Sequence, residues 1–290
     1  MSTTGKAGAI RIVSILGAML GLIGQAHGVL VEHNGGTVFF DDFESAPVVV
    51  SDPSDLSAAD PVAVTGSWIL NENDGSQNPN PAWIQVTDSG THVVGPAARG
   101  NNFLHIRSSK SSPNTFPPDT LTTRPNAEAQ FSSSATGGTL YFDLMYRNNN
   151  IAAGDTEIQM TLINPAGTFG IFAGPILRAN PSDGTWHVFI NNVTSTVSTG
   201  IAIASDENWH RVEMDVDMDT GLYSVTIDGT TSATFNSGVA NITATGLKFG
   251  PAGFGTGTTS LRFDLDAVPE PSSLALASLG VLMMLRRRRR

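Results

Sequence analysis

Apolar and polar residues alternate over many short segments of this chain, most clearly between residues 140 and 147. The apolar positions there are Leu140, Phe142, Leu144 and Tyr146, and the positions between them are Tyr141, Asp143, Met145 and Arg147. A period of two residues predicts a β-strand with one buried and one exposed face. Comparable runs occupy residues 38–43, 62–70, 83–87, 103–107, 158–163, 186–190 and 260–268.

Residues 208–229 predict a β-hairpin. Apolar or aromatic residues from His210 to Met218 alternate with Arg211, Glu213, Asp215 and Asp217. Asp219, Thr220 and Gly221 then supply a turn, and residues 222–227 return as a second strand. A short polar turn that contains glycine, placed between two alternating runs, is typical of a hairpin.

The composition favours an all-β fold. The 290 residues include 30 glycines and 16 prolines, only 14% are charged, and no segment between the two ends has a sustained helical period. Many short strands joined by turns predict an antiparallel two-sheet sandwich of the jelly-roll type over residues 29–268. The chain has no cysteine, so disulfides and cysteine-based sites are excluded.

The amino end predicts a secretory signal peptide over residues 1–28. Lys6 and Arg11 precede an apolar run at residues 12–23, and small residues follow around Ala26 and Gly28. Twelve helical residues span about 18 Å, which is less than the roughly 30 Å hydrocarbon core of a membrane. We therefore expect this segment to be removed on export.

The carboxyl end, residues 269–290, carries three features in order. Pro269, Glu270 and Pro271 precede an apolar stretch at residues 274–285, and five arginines follow at residues 286–290. The prolines prevent regular hydrogen bonding around Glu270. The apolar stretch predicts a membrane helix, and the arginines hold its end in the cytoplasm.

This end resembles the PEP-CTERM sorting signal of exported bacterial proteins. The resemblance implies cleavage near the Pro-Glu-Pro motif by an exosortase-type membrane protease, after transient anchoring in the inner membrane. It also implies a final location at the cell surface or in an exopolysaccharide matrix. A plain membrane anchor is the alternative.

Charge excludes one class of partner. Residues 29–268 contain nine lysines and arginines and 25 aspartates and glutamates, a net charge of −16. A surface with this charge repels nucleic acid. It suits a soluble exported domain with sites for divalent cations.

The hairpin at residues 208–229 is similar to the central hairpin of laminin-G and concanavalin-like jelly rolls. An opening Phe-Asp-Asp-Phe-Glu at residues 40–44 and a closing Arg-Phe-Asp-Leu-Asp at residues 262–266 fit that plan, with the first and last strands as neighbours. The superfold includes lectins, glycan-binding modules, glycosidases and adhesive domains, so it predicts architecture rather than activity.

Glu213, Asp215 and Asp217 form the candidate catalytic group. Their spacing resembles the Glu-x-Asp-x-Glu signature of laminarinase-like glycosidases, which would make Glu213 the nucleophile, Asp215 its assistant and Asp217 the general acid. Asp217 stands where the signature has glutamate and is one methylene shorter. The alternative interpretation, which we prefer, is a solvated acidic strand face without catalysis.

Two further sites are predicted. Carboxylates near both ends of the domain predict a structural Ca²⁺ site if the terminal strands are adjacent, because calcium takes six to eight oxygen ligands. The residues are Asp41, Asp42, Glu44, Asp264 and Asp266. Exposed edge charges that prevent aggregation are the alternative.

Trp83 is the candidate glycan platform, because it follows a polar loop and aromatic rings stack on sugars; core packing is its alternative role. The sequence thus predicts a non-catalytic surface or matrix protein that contacts polysaccharide. A laminarinase-like glycoside hydrolase and a purely structural matrix protein are the other hypotheses.

Overall fold

The computed structural model describes residues 29–45, 62–71, 83–88, 102–109, 126–148, 157–165, 176–180, 184–189, 196–202, 208–253 and 260–266. All of them belong to one compact unit, residues 28–268. The predicted signal peptide and the predicted sorting segment, with its helix at residues 274–285, lie outside the described residues.

The described residues form β-strands and contain no helix. In chain order the strands are β1 (Val29–His33), β2 (Gly36–Asp41), β3 (Ser67–Asn71), β4 (Trp83–Asp88), β5 (Asn102–Ser109), β6 (Asn126–Thr136), β7 (Thr139–Asn148), β8 (Glu157–Ile163), β9 (Ile176–Asn180), β10 (Thr185–Phe189), β11 (Thr196–Ala202), β12 (His210–Asp217), β13 (Leu222–Ile227), β14 (Thr230–Thr231), β15 (Phe235–Asn236), β16 (Thr243–Gly253) and β17 (Ser260–Asp266). The predicted all-β class is confirmed.

Ten of these strands form one antiparallel sheet, which we call the ten-stranded sheet. Its main order is β14-β13-β12-β7-β17-β5-β4, with β15 against β13 and with β1 joining β2 to β7. β12 lies along one edge of β7 at residues 139–146. On the other edge, β1 pairs with residues 140–143 and β17 with residues 145–148.

The first and last strands therefore follow one another along the same edge of β7. They are neighbours end to end and are not hydrogen-bonded side by side. β17 lies between β5 and β7, so the last strand of the domain is internal to its sheet.

The remaining strands form a seven-stranded antiparallel sheet in the order β11-β10-β9-β8-β16-β6-β3. Side chains from both sheets build the core between them. Tyr146 of β7 meets Trp186 of β10 edge to face, with ring centroids 5.4 Å apart, and Trp186 is fully buried. Trp68 of β3 contacts Phe39 of β2 in the same way at 5.0 Å. The two-sheet sandwich predicted from the sequence is confirmed.

The predicted hairpin at residues 208–229 is confirmed as β12 and β13, with Val212 opposite Ile227 and Asp217 opposite Leu222. Its turn needs glycine at position 221, where φ is +74°. A Cβ there would also lie 1.8 Å from the carbonyl oxygen of Val239.

Two strand predictions were too long. β2 ends at Asp41 rather than at residue 43, because the Asp41 carboxylate accepts a hydrogen bond from the Phe43 amide and closes a turn in which φ of Phe43 is +60°. β3 covers residues 67–71 only. In the segment before it, Thr65 forms an isolated β-bridge with Phe40 of β2.

Candidate functional site

The candidate site lies on the face of the ten-stranded sheet that is turned away from the core. In β12 buried residues from His210 to Val216 alternate with residues that are half-buried or exposed. Glu213 pairs with Asp143 of β7, and Asp215 pairs with Tyr141. Directly opposed residues of an antiparallel pair share a face, so the sheet brings these four side chains together.

Four side chains, Tyr141, Asp143, Arg211 and Glu213, form a connected set that we call the Glu213 network. The Arg211 guanidinium donates from Nε to Oδ1 of Asp143 at 3.0 Å and from Nη2 to Oδ2 at 2.6 Å. Nη2 also lies 3.1 Å from Oε1 of Glu213. The Tyr141 hydroxyl donates to the same Oε1 at 2.8 Å.

Burial is graded across the network. The Asp143 side chain is 2% exposed, that of Glu213 is 19% exposed and that of Arg211 is 40% exposed. The innermost carboxylate is thus paired by a two-point contact, as a buried charge requires. Glu213 is left with Oε2 free of hydrogen-bond partners among the described residues.

Burial and neighbouring groups keep the two hydrogen-bond donors of the network, Tyr141 and Arg211, protonated. Burial, followed by the charges of Asp143 and Glu213, raises the pKa of Tyr141, so its hydroxyl keeps its proton. The hydrogen bond to Asp143 raises the pKa of Arg211, so its guanidinium stays charged. Both side chains are therefore permanent donors on this face.

The three acids of β12 have separate roles. Glu213 belongs to the network. Asp215 is exposed, and burial of part of its carboxyl raises its pKa. Oδ1 of Asp217 accepts hydrogen bonds from the amides of Asp219 and Thr220, at 3.0 and 3.1 Å, and so holds the turn between β12 and β13.

The turn also sets the acidity of Asp217. Hydrogen bonds from Thr220, through its side chain and then its amide, lower the pKa of the Asp217 carboxyl. A general acid for glycoside cleavage needs a raised pKa so that it carries a proton near neutral pH. The pKa of Asp217 is lowered, which is the opposite of what a general acid requires.

Besides Arg211 of β12, a second cation, Arg147 of β7, has partners that the sequence interpretation missed. Arg147 is 2% exposed, and its guanidinium carbon lies 4.3 Å from the ring centroid of Trp209 and 5.1 Å from that of Phe103. Contacts of this kind stabilise a cation through the electron-rich faces of aromatic rings. Arg147 was visible in the alternation of residues 140–147, but the partners of its side chain come from distant segments.

Trp83 begins β4, the strand at one end of the ten-stranded sheet, and its backbone pairs with that of Arg107. Its side chain lies outside what the structure describes. The proposal that Trp83 is a glycan platform stays a prediction.

The carboxylates proposed for calcium have protein partners. Asp41 is fully buried, and its two oxygens accept hydrogen bonds from the Phe43 amide at 2.7 Å and from Nε1 of Trp68 at 2.5 Å. Oδ1 of Asp42 accepts from the amide of Glu44. Burial raises the pKa of Asp41 to about 7.

The fold nevertheless brings the two sets of acids predicted to bind calcium, at residues 41–44 and residues 264–266, to one region. Glu44 accepts a hydrogen bond from the amide of Asn102 in β5, the strand beside β17, and Asp266 at the end of β17 is fully buried. The Asp264 side chain lies outside the described part of the chain. Among the residues that the structure describes, no three histidines or acids lie close enough together to hold a metal ion. The Ca²⁺ site stays a prediction, which a comparison of melting temperature with and without chelator would test.

Pro269, Glu270 and Pro271 also lie outside the described residues. Within the described ranges, no helix has the length and apolar character needed to cross a membrane.

Comparison with known proteins identifies the carboxyl end. Residues 267–290 match the model of the PEP-CTERM protein-sorting motif. No curated protein matches the chain.

Three solved structures illustrate the structural likeness. An endo-beta-1,4-glucuronan lyase from the fungus Trichoderma reesei has a TM-score of 0.44 and 13% identity, over 69% of this chain and 92% of that one. Alginate lyase A1-II', of polysaccharide lyase family 7, has a TM-score of 0.42 and 14% identity, over 56% and 76%. A sialidase has a TM-score of 0.43 and 10% identity over 63% of this chain, which spans only 16% of that protein.

The motif match agrees in position with the Pro-Glu-Pro sequence, the apolar stretch and the arginines that end the chain. A motif of this kind implies export and sorting to the cell surface. Residues 267–290 of this chain are therefore a PEP-CTERM protein-sorting motif.

Proposed function

We propose that this chain is an exported protein that an exosortase-type membrane protease cleaves near residues 269–271, and that its jelly-roll domain then acts at the cell surface or in a polysaccharide matrix. The match of residues 267–290 to the sorting motif supports this proposal. The apolar stretch and five arginines that follow would hold the chain in the membrane until cleavage.

The position of β17 is compatible with such cleavage. β17 ends at Asp266, three residues before Pro269, and an extended chain of three residues spans about 10 Å. Cleavage within residues 269–271 therefore removes none of the described strands. The protease would act close to an already folded domain.

The export proposal is tested by changing both prolines. In cells that export the chain, the variant Pro269→Ala/Pro271→Ala should accumulate in the membrane fraction at the higher mass of the uncleaved form. The matched control is Pro251→Ala, which changes a proline in β16, distant in sequence from the motif. Normal release of the double variant would contradict processing at this motif.

We further propose that the domain binds glycan, without cleaving it, through the Glu213 network. Sugar recognition combines an aromatic face for C–H groups with fixed polar groups for hydroxyls. Tyr141 offers a half-buried ring, Arg211 a charged donor and Glu213 a carboxylate oxygen without a partner. Because the side chains of the network are already held by their own hydrogen bonds, they lose little conformational entropy when a ligand binds.

The observation that carries this proposal is the two-point contact between Arg211 and buried Asp143, which fixes Arg211 beside Glu213 on the sheet face turned away from the core. Binding without hydrolysis is favoured because Asp217 is engaged in the turn and its pKa is lowered. A laminarinase-like hydrolase that uses Glu213 and Asp217 is the second candidate, since both acids lie on one face of β12.

A glycan array and a β-glucan digestion assay separate these functions. The wild-type protein should bind immobilised glycans, and Tyr141→Ala and Glu213→Ala should each weaken binding at least tenfold, the effect of losing about 1.4 kcal/mol. Glu157→Gln, at the start of β8 in the seven-stranded sheet, is the control. Turnover of β-glucan that disappears in Glu213→Gln would instead establish the hydrolase, and an array without binding would favour a purely structural matrix protein.

A further inference from the structure

Tyr141, whose ring belongs to the proposed glycan contact, is flanked by acidic residues. Tyr141 lies between two carboxylates in register, because Glu32 of β1 pairs with it on one side and Asp215 of β12 pairs with it on the other. Glu213 accepts its hydroxyl hydrogen bond. Three acids therefore surround the aromatic ring that the proposed function uses as its platform.

Glu213 contacts the Arg211 guanidinium, but no described cation neutralises the two flanking acids. Neither Glu32 nor Asp215 has an ion-pair or hydrogen-bonding side-chain partner among the described residues. Arg211 is the cation of the Glu213 network, and its two-point contact is with Asp143. The network with its two flanking acids thus holds four carboxylates and one guanidinium, a net charge of −3.

The domain as a whole adds to this local charge. Residues 29–268 carry a net charge of −16, so the field around the domain also disfavours approach of polyanions. Arg147 of β7 is 2% exposed and stacked against Trp209 and Phe103. It is therefore not presented to a ligand on this face as an open cation.

We infer that this face takes uncharged or amino-bearing glycans and rejects glycans whose repeating unit carries carboxylate or sulfate. This inference rests on the proposed glycan contact and adds the class of ligand. Hydroxyl groups donate hydrogen bonds to carboxylate oxygens, and ammonium groups do so with a charge in addition. A uronate brings a further negative charge to a site where Arg211, the cation among the described residues of the site, is already paired with Asp143 and Glu213.

The test compares three β-1,4-linked hexasaccharides that share a backbone and differ in charge: glucose, glucosamine and glucuronate. Dissociation constants are measured for the full chain in mild detergent, at low salt and at 0.5 M salt. Glucosamine should bind at least as tightly as glucose, and glucuronate at least tenfold more weakly. High salt should reduce the difference, because it screens exposed charges.

A double variant links the selectivity to the two flanking acids. Glu32→Gln/Asp215→Asn keeps the side-chain shapes and removes two charges, so the affinity for glucuronate relative to glucose should rise about tenfold. The control Glu157→Gln, at the start of β8 in the seven-stranded sheet, should leave this ratio unchanged. Glucuronate that binds the wild type as tightly as glucose, or a ratio that the double variant does not change, would overturn the selectivity alone. Failure of all three oligosaccharides to bind would overturn the proposed glycan contact and the selectivity with it.

Discussion

Arg211 and Asp143 form a two-point ion pair across neighbouring strands, with distances of 3.0 and 2.6 Å. Asp143 is nearly inaccessible, whereas 40% of the Arg211 side chain is exposed. The pair therefore anchors a solvent-facing cation to the interior of the sheet. Through this anchor, Arg211 is also held 3.1 Å from Oε1 of Glu213.

Removal of one partner should destabilise the fold, because the other charge is left without compensation. We expect Arg211→Ala to reduce the free energy of unfolding by about 2 to 4 kcal/mol, because it leaves the buried Asp143 carboxylate unpaired. Asp143→Ala should reduce it less, because the Arg211 left behind is partly hydrated and still contacts Glu213. A double-mutant cycle measured by urea denaturation should give a coupling of about 1 to 3 kcal/mol. Additive effects of the two variants would show that the pair contributes nothing as a unit.

Asp41 should make stability depend on pH. Its folded pKa of about 7 exceeds the ordinary value of 3.8, chiefly through burial, so the folded state binds this proton more tightly than the unfolded state. The stabilisation is complete below about pH 4 and is lost as pH rises towards 7, by an amount on the order of 2 to 4 kcal/mol. Melting temperatures between pH 4.5 and pH 8 measure it.

Two variants isolate the contribution of Asp41 from that of the other acids. Asp41→Asn cannot ionise, so its stability should fall less than that of the wild type over this range. Trp68→Phe removes the Nε1 donor that lowers the Asp41 pKa, so its stability should fall more steeply. Parallel pH profiles for all three proteins would refute this assignment.

The turn between β12 and β13 should not tolerate a side chain at position 221. Gly221→Ala combines a positive φ with a clash against the Val239 carbonyl, and we expect a loss of about 2 to 4 kcal/mol. Gly229→Ala is the matched control, since φ there is +79° but no atom lies within 4 Å of the added Cβ. It should cost only about 1 kcal/mol. Equal losses in urea denaturation would mean that the close approach to Val239 is unimportant.

Strands with clear alternation were predictable from the sequence. The run at residues 140–147 became β7, and the runs at residues 83–87 and 103–107 became β4 and β5 within two residues at each end. The core face of β12 was also evident, because apolar side chains recur at every second position.

Other strands gave weak signals. β6 contains alanines and serines, which have low strand propensity, and β16 contains glycines and a proline inside the strand. Both are internal strands of the seven-stranded sheet, and pairing with a neighbour on each side supplies the stability that local strand preference does not. β1 was missed for another reason, since it directly follows the predicted signal peptide.

The candidate site was predictable only in part. The row of Glu213, Asp215 and Asp217 was visible in the sequence. The sequence did not show that Glu213 belongs to the network, that Asp215 is exposed and that Asp217 holds the turn. That division depends on Tyr141 and Asp143, which lie about 70 residues earlier and are aligned by the register of β7 against β12. Long-range register is set by the packing of whole sheets rather than by any local pattern.

The central claim is that glycan contacts the sheet face that carries Glu213. The most direct measurement is a nuclear magnetic resonance titration of the isotope-labelled protein with the glucosamine hexasaccharide, following backbone amide shifts. We predict that the perturbed amides belong to β7 and β12, with Tyr141 and Glu213 among the largest changes. Shifts confined to the seven-stranded sheet, around Thr161 and Lys248, would contradict the account.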